Sequence, residues 1–278
     1  MPKGTLIGRG RTADVYAWEG EWVLKLYRPS FPRDWIGYEA EVGRLVRDSG
    51  LPAPSVREVV EVEGRLAFVC ERVTGPSWLD QIKSQPWMSA RVGRRLARLH
   101  FQVHASAAPL RARLRERVAG NLRDARRWLG DDADRVLLAL EALPDGDAIC
   151  HFDFHPDNVL GVGEQVRIID WLTAGLGPPA MDVARTLLLI DTPYLPPGFP
   201  ALLRPLVRIL RRSIGSAYLA EYLRLSRLRR ADVHAWRVPL AAARLCEEVP
   251  GEREWLLNTV RSGLVPPSTP LPAQREVM

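Results

Sequence analysis

The local pattern of the sequence changes once, between residues 72 and 76, and this change limits the folds open to the chain. Before it, short runs of β-branched and aromatic residues alternate with turn residues and predict strands. After it, apolar residues recur every three or four positions opposite arginines and predict helices. Strands followed by helices are typical of α+β proteins. The sequence therefore predicts a bilobal fold with a small β-rich lobe followed by a large, mainly helical lobe.

The boundaries of the predicted elements follow from turn and stop signals. Three strands are predicted within residues 5–28, in TLIGRG, ADVYAW and WVLKLY, and the last two flank the turn Glu19-Gly20. A helix over residues 34–49 ends at Gly50, and two strands meet at Glu63-Gly64. Further helices are predicted over residues 88–106, 110–129, 132–143 and most of 178–262. We place the N-terminal lobe at residues 1–73 with a hinge near 70–75, the helical lobe at 74–265, and a Pro-rich, disordered tail at 266–278.

Composition excludes several classes of protein. No run of about 18 apolar residues occurs and the N-terminus lacks a signal-peptide core, so we expect no membrane partner and a cytoplasmic location. The formal net charge of +6 invites a nucleic-acid interpretation. However, only three of the 39 basic residues are lysines, and the arginines spread along helical faces without interleaved aromatics. We therefore expect no nucleic-acid partner; the oligomeric state is left open.

The stretch CHFDFHPDNVL, residues 150–160, concentrates proton carriers and oxygen ligands. As a strand it would place His151, Asp153 and His155 on one face, which would be a metal site of a hydrolase. As a loop, its spacing His-x-Asp-x-x-x-x-Asn is typical of phosphotransferase catalytic loops. Pro156 disfavours a long strand, and no further histidine offers an obvious ligand, so the loop interpretation is favoured.

The residues after this stretch predict a hairpin that ends in VRIID. If its turn centres on residue 164, Leu160 faces Ile168 and Asn158 faces Asp170. An amide oxygen and a carboxylate would then meet at the mouth of the hairpin, and such ligands suit Mg²⁺. The loop would bring the Asp153 carboxylate close to the same metal–phosphate centre, where it would orient an attacking hydroxyl group and accept its proton.

Cations and glycines near the N-terminus fit a nucleotide phosphate site. Gly8 and Gly10 lie in a turn between two predicted strands, where glycine lets backbone N–H groups approach phosphate. Lys25 is a rare lysine inside an apolar strand, which favours a paired, functional cation. Glu39 and Glu41 are both candidate partners, but they lie about 200° apart on a helix, so only one of them faces inward.

These segments together resemble the aminoglycoside phosphotransferase family, which is similar to choline kinases and, more distantly, to protein kinases. The resemblance rests on CHFDFHPDNVL with VRIIDW, and extends to LIGRGRTADVY, VLKLY, YEAEVGRLV, LPAP, LARLH and GPPAMDVART, over about residues 5–190. It implies a protein-kinase-like fold that uses ATP and Mg²⁺ to phosphorylate a hydroxyl group of a small molecule. The implied acceptor is an aminoglycoside-like antibiotic, an amino sugar or an amino alcohol.

The resemblance also implies roles for individual residues. Asp153 would be the catalytic aspartate, Asn158 and Asp170 would hold Mg²⁺, and Lys25 would contact the α- and β-phosphates while paired with Glu39. The segment CERV resembles the hinge whose backbone contacts adenine, which involves Glu71 and Val73. Asp182 would brace the catalytic loop, and His100 and His151 would have structural roles.

The chain departs from the family pattern in three places. Phe152 stands where the family usually has glycine, and because phenylalanine resists a positive φ, we expect the loop to reach its shape in another way. Ala13 replaces a third glycine in the phosphate loop, and no APE-like segment follows Asp170, which disfavours a protein kinase. A catalytically silent, nucleotide-binding pseudokinase is the alternative function. Neither the acceptor nor the choice between ATP and GTP follows from the sequence.

Overall fold

The structure is a computed structural model that describes residues 3–264, so the predicted tail at 266–278 lies outside the described residues. The strands are β1 Leu6–Arg9, β2 Ala13–Ala17, β3 Trp22–Tyr27, β4 Val56–Val62, β5 Arg65–Glu71, β6 Ala148–Cys150, β7 Val159–Leu160, β8 Arg167–Ile168 and β9 Gly175–Gly177. The helices are α1 Arg33–Asp48, α2 Trp78–Ser84, α3 Ser89–Ala105, α4 Leu114–Asp124, α5 Arg126–Leu129, α6 Asp132–Glu141, α7 Pro179–Asp191, α8 Arg204–Leu225, α9 Arg230–His234, α10 Arg237–Arg244 and α11 Arg253–Leu264.

The first five strands form one antiparallel sheet in the order β1-β2-β3-β5-β4. The Glu63-Gly64 turn has the left-handed backbone that a two-residue hairpin requires, with a φ of 53° and 70°. The longer connection between Trp18 and Trp22 has one such residue, Gly20, with a φ of 59°. The remaining chain is mainly helical. The predicted α+β fold, with a β-rich N-terminal part and a helical C-terminal part, is therefore confirmed.

The two faces of β3 pack against different parts of the molecule. Leu24 and Leu26 are fully buried on one face, where they pack with residues of β4 and β5. Lys25 and Tyr27 point to the other face because side chains alternate along a strand. That face is covered by α1, whose Ile36 packs in the same small core as Tyr27. The period of two thus places the lysine against a helix.

The helical part is organised around α3 and α8, which run side by side. Gly93 makes the close approach possible, because a Cβ atom there would lie 2.5 Å from the carbonyl oxygen of Ile214. The main core surrounds this pair and extends to the C-terminal half of α1 through Val42 and Val46. One continuous core therefore joins the helices to the helix that covers the sheet.

Some elements differ from the sequence-based expectation. The helix predicted over 110–129 begins only at Leu114, because Arg113 is extended and bridges to Leu176. It is also interrupted at Ala125. The sequence did not predict α2, although Ser77 caps it by accepting the Asp80 N–H at 3.0 Å, and it did not predict the β6–β9 pair.

The predicted register of the β7–β8 hairpin is wrong by one residue. Val159 pairs with Ile168 and Leu160 with Arg167, and the Ile169 N–H donates to the Asn158 carbonyl at 3.0 Å. Gly161 has a φ of 88° and a short 3-10 turn follows, so the connection holds one residue fewer than a symmetric turn about residue 164. Asp170 therefore lies one position beyond the residue opposite Asn158.

Within residues 3–264, none of the helices combines the length and the continuous apolar character needed to cross a lipid bilayer.

Candidate active site

Lys25 lies between two carboxylates from distant parts of the chain. Its Nζ atom is 2.5 Å from Glu39 Oε1 and 3.0 Å from Asp170 Oδ1. Tyr27 donates its hydroxyl hydrogen bond to the other oxygen of Glu39. Glu39 is 3% exposed, whereas Glu41 faces solvent, so the structure pairs the lysine with the first of the two candidate acids.

Burial and charge act against each other in this group. Burial alone lowers the pKa of Lys25, but the Asp170 and Glu39 carboxylates outweigh it, and the pKa is held well above its ordinary value. Burial raises the pKa of Glu39, and the neighbouring Lys25 ammonium opposes that rise. A lysine with this raised pKa is charged at neutral pH and available to neutralise an anionic ligand.

The catalytic-loop candidate follows β6 and is fixed by Asp182 of α7. One carboxylate oxygen accepts the His151 N–H at 2.7 Å, and the other accepts the Phe152 N–H at 3.0 Å. Thr173 donates to the His151 carbonyl at 2.9 Å. Two charge-assisted hydrogen bonds to consecutive amides set the path of the backbone at this point.

The expectation that Phe152 would avoid a positive φ is wrong, since its φ is 64°. A non-glycine residue in this region costs about 1–2 kcal/mol. Asp182 holds the amide of Phe152, and Arg185 donates to its carbonyl at 3.3 Å and covers its ring at 5.4 Å. These contacts, with a side chain only 6% exposed, offset the cost and keep the loop in the glycine-like shape.

Asp153 follows directly and presents its carboxylate to two partners. The Asn158 amide donates from Nδ2 to the Asp153 carbonyl at 2.9 Å and to Oδ2 at 3.1 Å, and His155 Nε2 lies 3.6 Å from Oδ2. Burial alone raises the pKa of Asp153, but His155 and the cation of Arg185 outweigh it, and the pKa is lowered. The carboxylate is therefore ionised at neutral pH and suited to orient a hydroxyl group.

Asn158 and Asp170 fit the chemistry of a hard cation. With Nδ2 of Asn158 engaged by Asp153, its amide oxygen forms no hydrogen bond within residues 3–264. Asp170 follows β8 with a φ of 65°, and its side chain is 35% exposed with one oxygen on Lys25. One amide oxygen and one partly exposed carboxylate are ligands that Mg²⁺ accepts together with phosphate oxygens.

The glycine turn and the hinge segment lie on β1–β2 and at the end of β5. The Gly10 N–H is used within its own turn, donating to the Ala13 carbonyl at 2.8 Å, and neither Gly8 nor Gly10 has a positive φ. The Glu71 N–H donates to the Ser55 carbonyl at 2.8 Å, whereas the Val73 N–H makes no hydrogen bond among the described residues. A purine base at this edge would thus find a free donor at Val73.

The structure argues against a metal site formed by His151, Asp153 and His155. His151 uses both ring nitrogens internally, with Nε2 3.0 Å from the Ile169 carbonyl and Nδ1 accepting the Asp153 N–H at 3.3 Å. Burial lowers the pKa of His151, which fits this neutral tautomer. A ring with both nitrogens engaged has no lone pair left for a metal.

A second set of polar residues supports the loop from below. His100 and His104 direct Nε2 to the same Asp182 oxygen, at 3.0 and 3.3 Å, while Tyr218 and Tyr222 bond their Nδ1 atoms at 2.6 and 2.5 Å. We call the two histidines and Asp182 the brace. Their potential metal-ligand atoms lie within 4.8 Å of one another. However, the carboxylate already accepts four hydrogen bonds, so these residues stabilise the loop backbone.

Sequence reasoning missed the roles that several residues have at the site. His104 joins the brace, Tyr27 holds Glu39, His155 pairs with Asp153, and Arg185 secures Phe152. The only available signal was spacing: His104 lies one helical turn after His100, and Tyr27 lies on the same strand face as Lys25.

None of the curated proteins compared with the chain matches it in sequence. A thermostable mutant of aminoglycoside phosphotransferase APH(4)-Ia in its apo form shares 18% identity, covers 93% of this chain and 94% of its own, and gives a TM-score of 0.65. A choline/ethanolamine kinase family protein from Mesorhizobium loti shares 20% identity over 97% of this chain and 89% of its own, with a TM-score of 0.56.

A third structure is the amicoumacin kinase hAmiN in complex with AMP-PNP, Ca²⁺ and Ami, with 16% identity, coverage of 94% and 87%, and a TM-score of 0.60. At these identities the likeness concerns the fold, which is kinase-like. The sequence itself matches the phosphotransferase enzyme family over residues 3–222. Because that match spans most of the chain, the protein belongs to the phosphotransferase enzyme family.

Proposed function

We propose that the protein transfers the γ-phosphoryl group of ATP to a hydroxyl group of a small molecule in a Mg²⁺-dependent reaction. The observation that carries the proposal is the meeting of Lys25, Glu39 and Asp170 with a loop that presents an ionised Asp153. These groups come from β3, α1, the end of β8 and the loop after β6, so only the folded chain assembles them. Family membership and structural neighbours solved with AMP-PNP support ATP as the donor.

The residues of the chain would share the work as follows. Lys25 neutralises charge on the α- and β-phosphates, and Glu39 holds the lysine in place. Asp153 orients the acceptor hydroxyl group and accepts its proton as the oxygen bonds to the γ-phosphorus atom. The bond from that phosphorus to the β-phosphate oxygen breaks, and ADP leaves with the electron pair. Catalysis is then mainly positioning and charge neutralisation.

Mg²⁺ bound by Asn158 and Asp170 would supply charge neutralisation at the phosphates. The hinge residues Glu71 and Val73 would contact the purine base through backbone atoms, and the turn with Gly8 and Gly10 would lie near the phosphates. The family resemblance suggests an amino-containing acceptor, because structural neighbours are named as aminoglycoside phosphotransferases and a choline/ethanolamine kinase family protein.

The test is ADP release from MgATP across a panel of hydroxyl compounds, with wild type, Asp153→Asn and Asp157→Asn compared. Asp157 is an exposed carboxylate of the same loop and serves as the matched control. We expect acceptor-dependent release that falls about a hundredfold or more in Asp153→Asn, with MgATP affinity nearly unchanged. Retention of more than about a tenth of the rate would contradict the role of Asp153. MgATP binding without release for any acceptor would favour the pseudokinase alternative.

A further inference from the structure

Two of the acidic residues that could hold a polycationic acceptor, Glu247 and Glu252, are already paired with arginines. The sequence contains a cluster of acids after α10: Glu247, Glu248, Glu252 and Glu254. Arg244 contacts Glu252 at 2.6 Å and Glu247 at 2.8 Å, and Arg185 contacts Glu247 at 2.5 Å. Glu252 is only 1% exposed. Removing an arginine from a buried pair is costly, so these carboxylates are poor ligands for a polyamine.

A cavity of about 680 Å³ opens beside these pairs, and its charge has the opposite sign. It lies between the end of α7, the first half of α8 and the turn before α11. We call it the arginine pocket, because five arginines and one aspartate are its charged lining residues: Arg204, Arg208, Arg211, Arg212, Arg237 and Asp191. Tyr194, Val207 and Trp255 add an apolar wall. Cavities of this size accommodate small organic ligands.

The arginines of the pocket exceed the acids available to them. Arg237 lies 3.6 Å from Asp191, and Arg211 donates to the carbonyls of Thr192 and Tyr194. Arg204, Arg208 and Arg212 form no ion pair within residues 3–264. Residues 192–220 contain neither aspartate nor glutamate. Cations that converge on a cavity without matching acids attract and hold an oxyanion.

A continuous set of polar contacts joins the pocket to the catalytic loop. Arg185 contacts the Phe152 carbonyl and Glu247, Arg244 links Glu247 to Glu252, and Thr192 at the pocket donates to Glu252. The same two regions lie towards opposite ends of α7. Nine residues separate Asp182, which holds the loop, from Asp191 in the pocket, or about 14 Å along a helix.

We propose that the arginine pocket binds an anionic group of the acceptor, a phosphate, sulfate or carboxylate, while the hydroxyl group of the same molecule lies at Asp153. The acceptor is then a hydroxylated molecule long enough to reach from the pocket to Asp153, a span comparable to the ~14 Å between Asp182 and Asp191 along α7. Its apolar or ring-shaped body packs against Trp255. The identification of this ligand as the phosphoryl acceptor rests on the proposed function, whereas anion binding by the pocket does not.

Binding of inorganic phosphate tests the pocket without any turnover. Calorimetric titration is done with MgADP present, so that the nucleotide site is filled, on wild type, the double variant Arg208→Gln/Arg212→Gln, and Arg227→Gln. Arg227 is exposed just after α8 and outside the pocket, so it is a control for the loss of an arginine charge elsewhere on the surface. We expect phosphate affinity to fall about tenfold in the double variant and to stay unchanged in the control. No measurable phosphate binding by wild type, or equal affinity in all three proteins, overturns the proposal.

Turnover of matched acceptor pairs tests the link to catalysis. Each pair differs only in an acidic group: nucleosides against nucleoside monophosphates, and disaccharides against their phosphates, with aminoglycosides as the cationic comparison. We expect ADP release with acidic members, and a KM raised about tenfold in the double variant with kcat almost unchanged. Turnover of aminoglycosides alone, unaffected by the arginine changes, overturns this inference and leaves the proposed function intact. If wild type bound no MgATP, the proposed function would be wrong. The phosphate titration would still show whether the arginine pocket binds an anion.

Discussion

Two carboxylate clusters flank the candidate catalytic loop, and they differ in how many hydrogen bonds their oxygens accept. In the nucleotide-side cluster of Lys25, Glu39 and Asp170, one cation lies between two acids, and the Asp170 side chain is 35% exposed. In the brace, Asp182 is fully buried and accepts four hydrogen bonds. A partly exposed carboxylate with few hydrogen bonds can bind a cation, whereas a buried carboxylate that already accepts four hydrogen bonds can only stabilise the fold.

The charge states agree with this division. Burial alone raises the pKa of Asp182, but His100 and His104 outweigh it and the pKa is lowered. The pKa of His100 is lowered to about 4, so its ring is neutral near pH 7, with Nε2 facing the ionised Asp182 and Nδ1 facing the Tyr218 hydroxyl group. We therefore expect changes in the brace to alter stability first, and changes in the nucleotide-side cluster to alter ligand binding first.

Asp182→Ala should give the largest effect. It removes the acceptor of two backbone amides and two histidines, all buried, and should lower the free energy of unfolding by about 3–5 kcal/mol. Urea unfolding followed by circular dichroism measures it. Asp134→Ala is the control, because this exposed acid pairs with Arg126 at 2.6 Å and should cost at most about 1 kcal/mol. Equal losses in the two variants would contradict the brace.

Asp170→Ala, in the nucleotide-side cluster, should weaken Mg²⁺-dependent ATP binding with little loss of stability. We expect the enhancement of ATP affinity by Mg²⁺ to fall about a hundredfold, since a metal ligand is lost. Affinity for metal-free ATP should stay equal or rise, because a negative charge beside Lys25 disappears. Titrations of ATP with Mg²⁺ and with a chelator measure both quantities, and Asp157→Ala is the control. An unchanged response to Mg²⁺ would remove Asp170 from the metal site.

Local pattern was enough to predict most of the fold and most of the residues that the structure brings together in the candidate site. Alternation along β3 put Lys25 on a single face, and the Glu19-Gly20 and Glu63-Gly64 turns fixed two hairpins. The register of β7–β8 was not predictable, because it depends on the backbone of Gly161 and a 3-10 turn rather than on side-chain pattern. A symmetric turn was the wrong assumption there.

Features that depend on distant contacts were also beyond the sequence. The positive φ of Phe152 is tolerated because Asp182 and Arg185, some 30 residues later, hold both sides of its peptide. The pairing of Arg244 with Glu252 buries an acid that the sequence pattern alone does not place in the interior. Neither propensity nor spacing contains that information, since tertiary partners decide the outcome.

The brace should make stability depend on pH through His100. Burial, then the neighbouring His104, lowers the pKa of His100 from 6.5 to about 4. Between these values the unfolded chain takes up a proton at His100 and the folded chain does not. The free energy of unfolding should therefore fall as the pH falls from 6.5 towards 4, by up to about 1.4 kcal/mol per pH unit from this residue.

Urea unfolding of wild type and His100→Asn at several pH values between 4 and 7 isolates this contribution. We expect the variant to be less stable near pH 7 and to lose less stability on acidification, so that the two curves converge. Parallel curves would mean that folding does not change proton uptake at His100, and would contradict a neutral His100 in the brace.

Two tyrosine substitutions should give the smallest effects and the sharpest comparison. Tyr27 donates to Glu39 in the nucleotide-side cluster, and Tyr222 bonds His104 beside the brace. Each change to phenylalanine removes one hydroxyl group, worth about 1 kcal/mol. Because Glu39 positions Lys25, Tyr27→Phe should weaken MgATP binding about two- to fivefold, whereas Tyr222→Phe should lower only the free energy of unfolding. If both variants weakened nucleotide binding equally, the two clusters would be one coupled network, and the separation between ligand site and support would not hold.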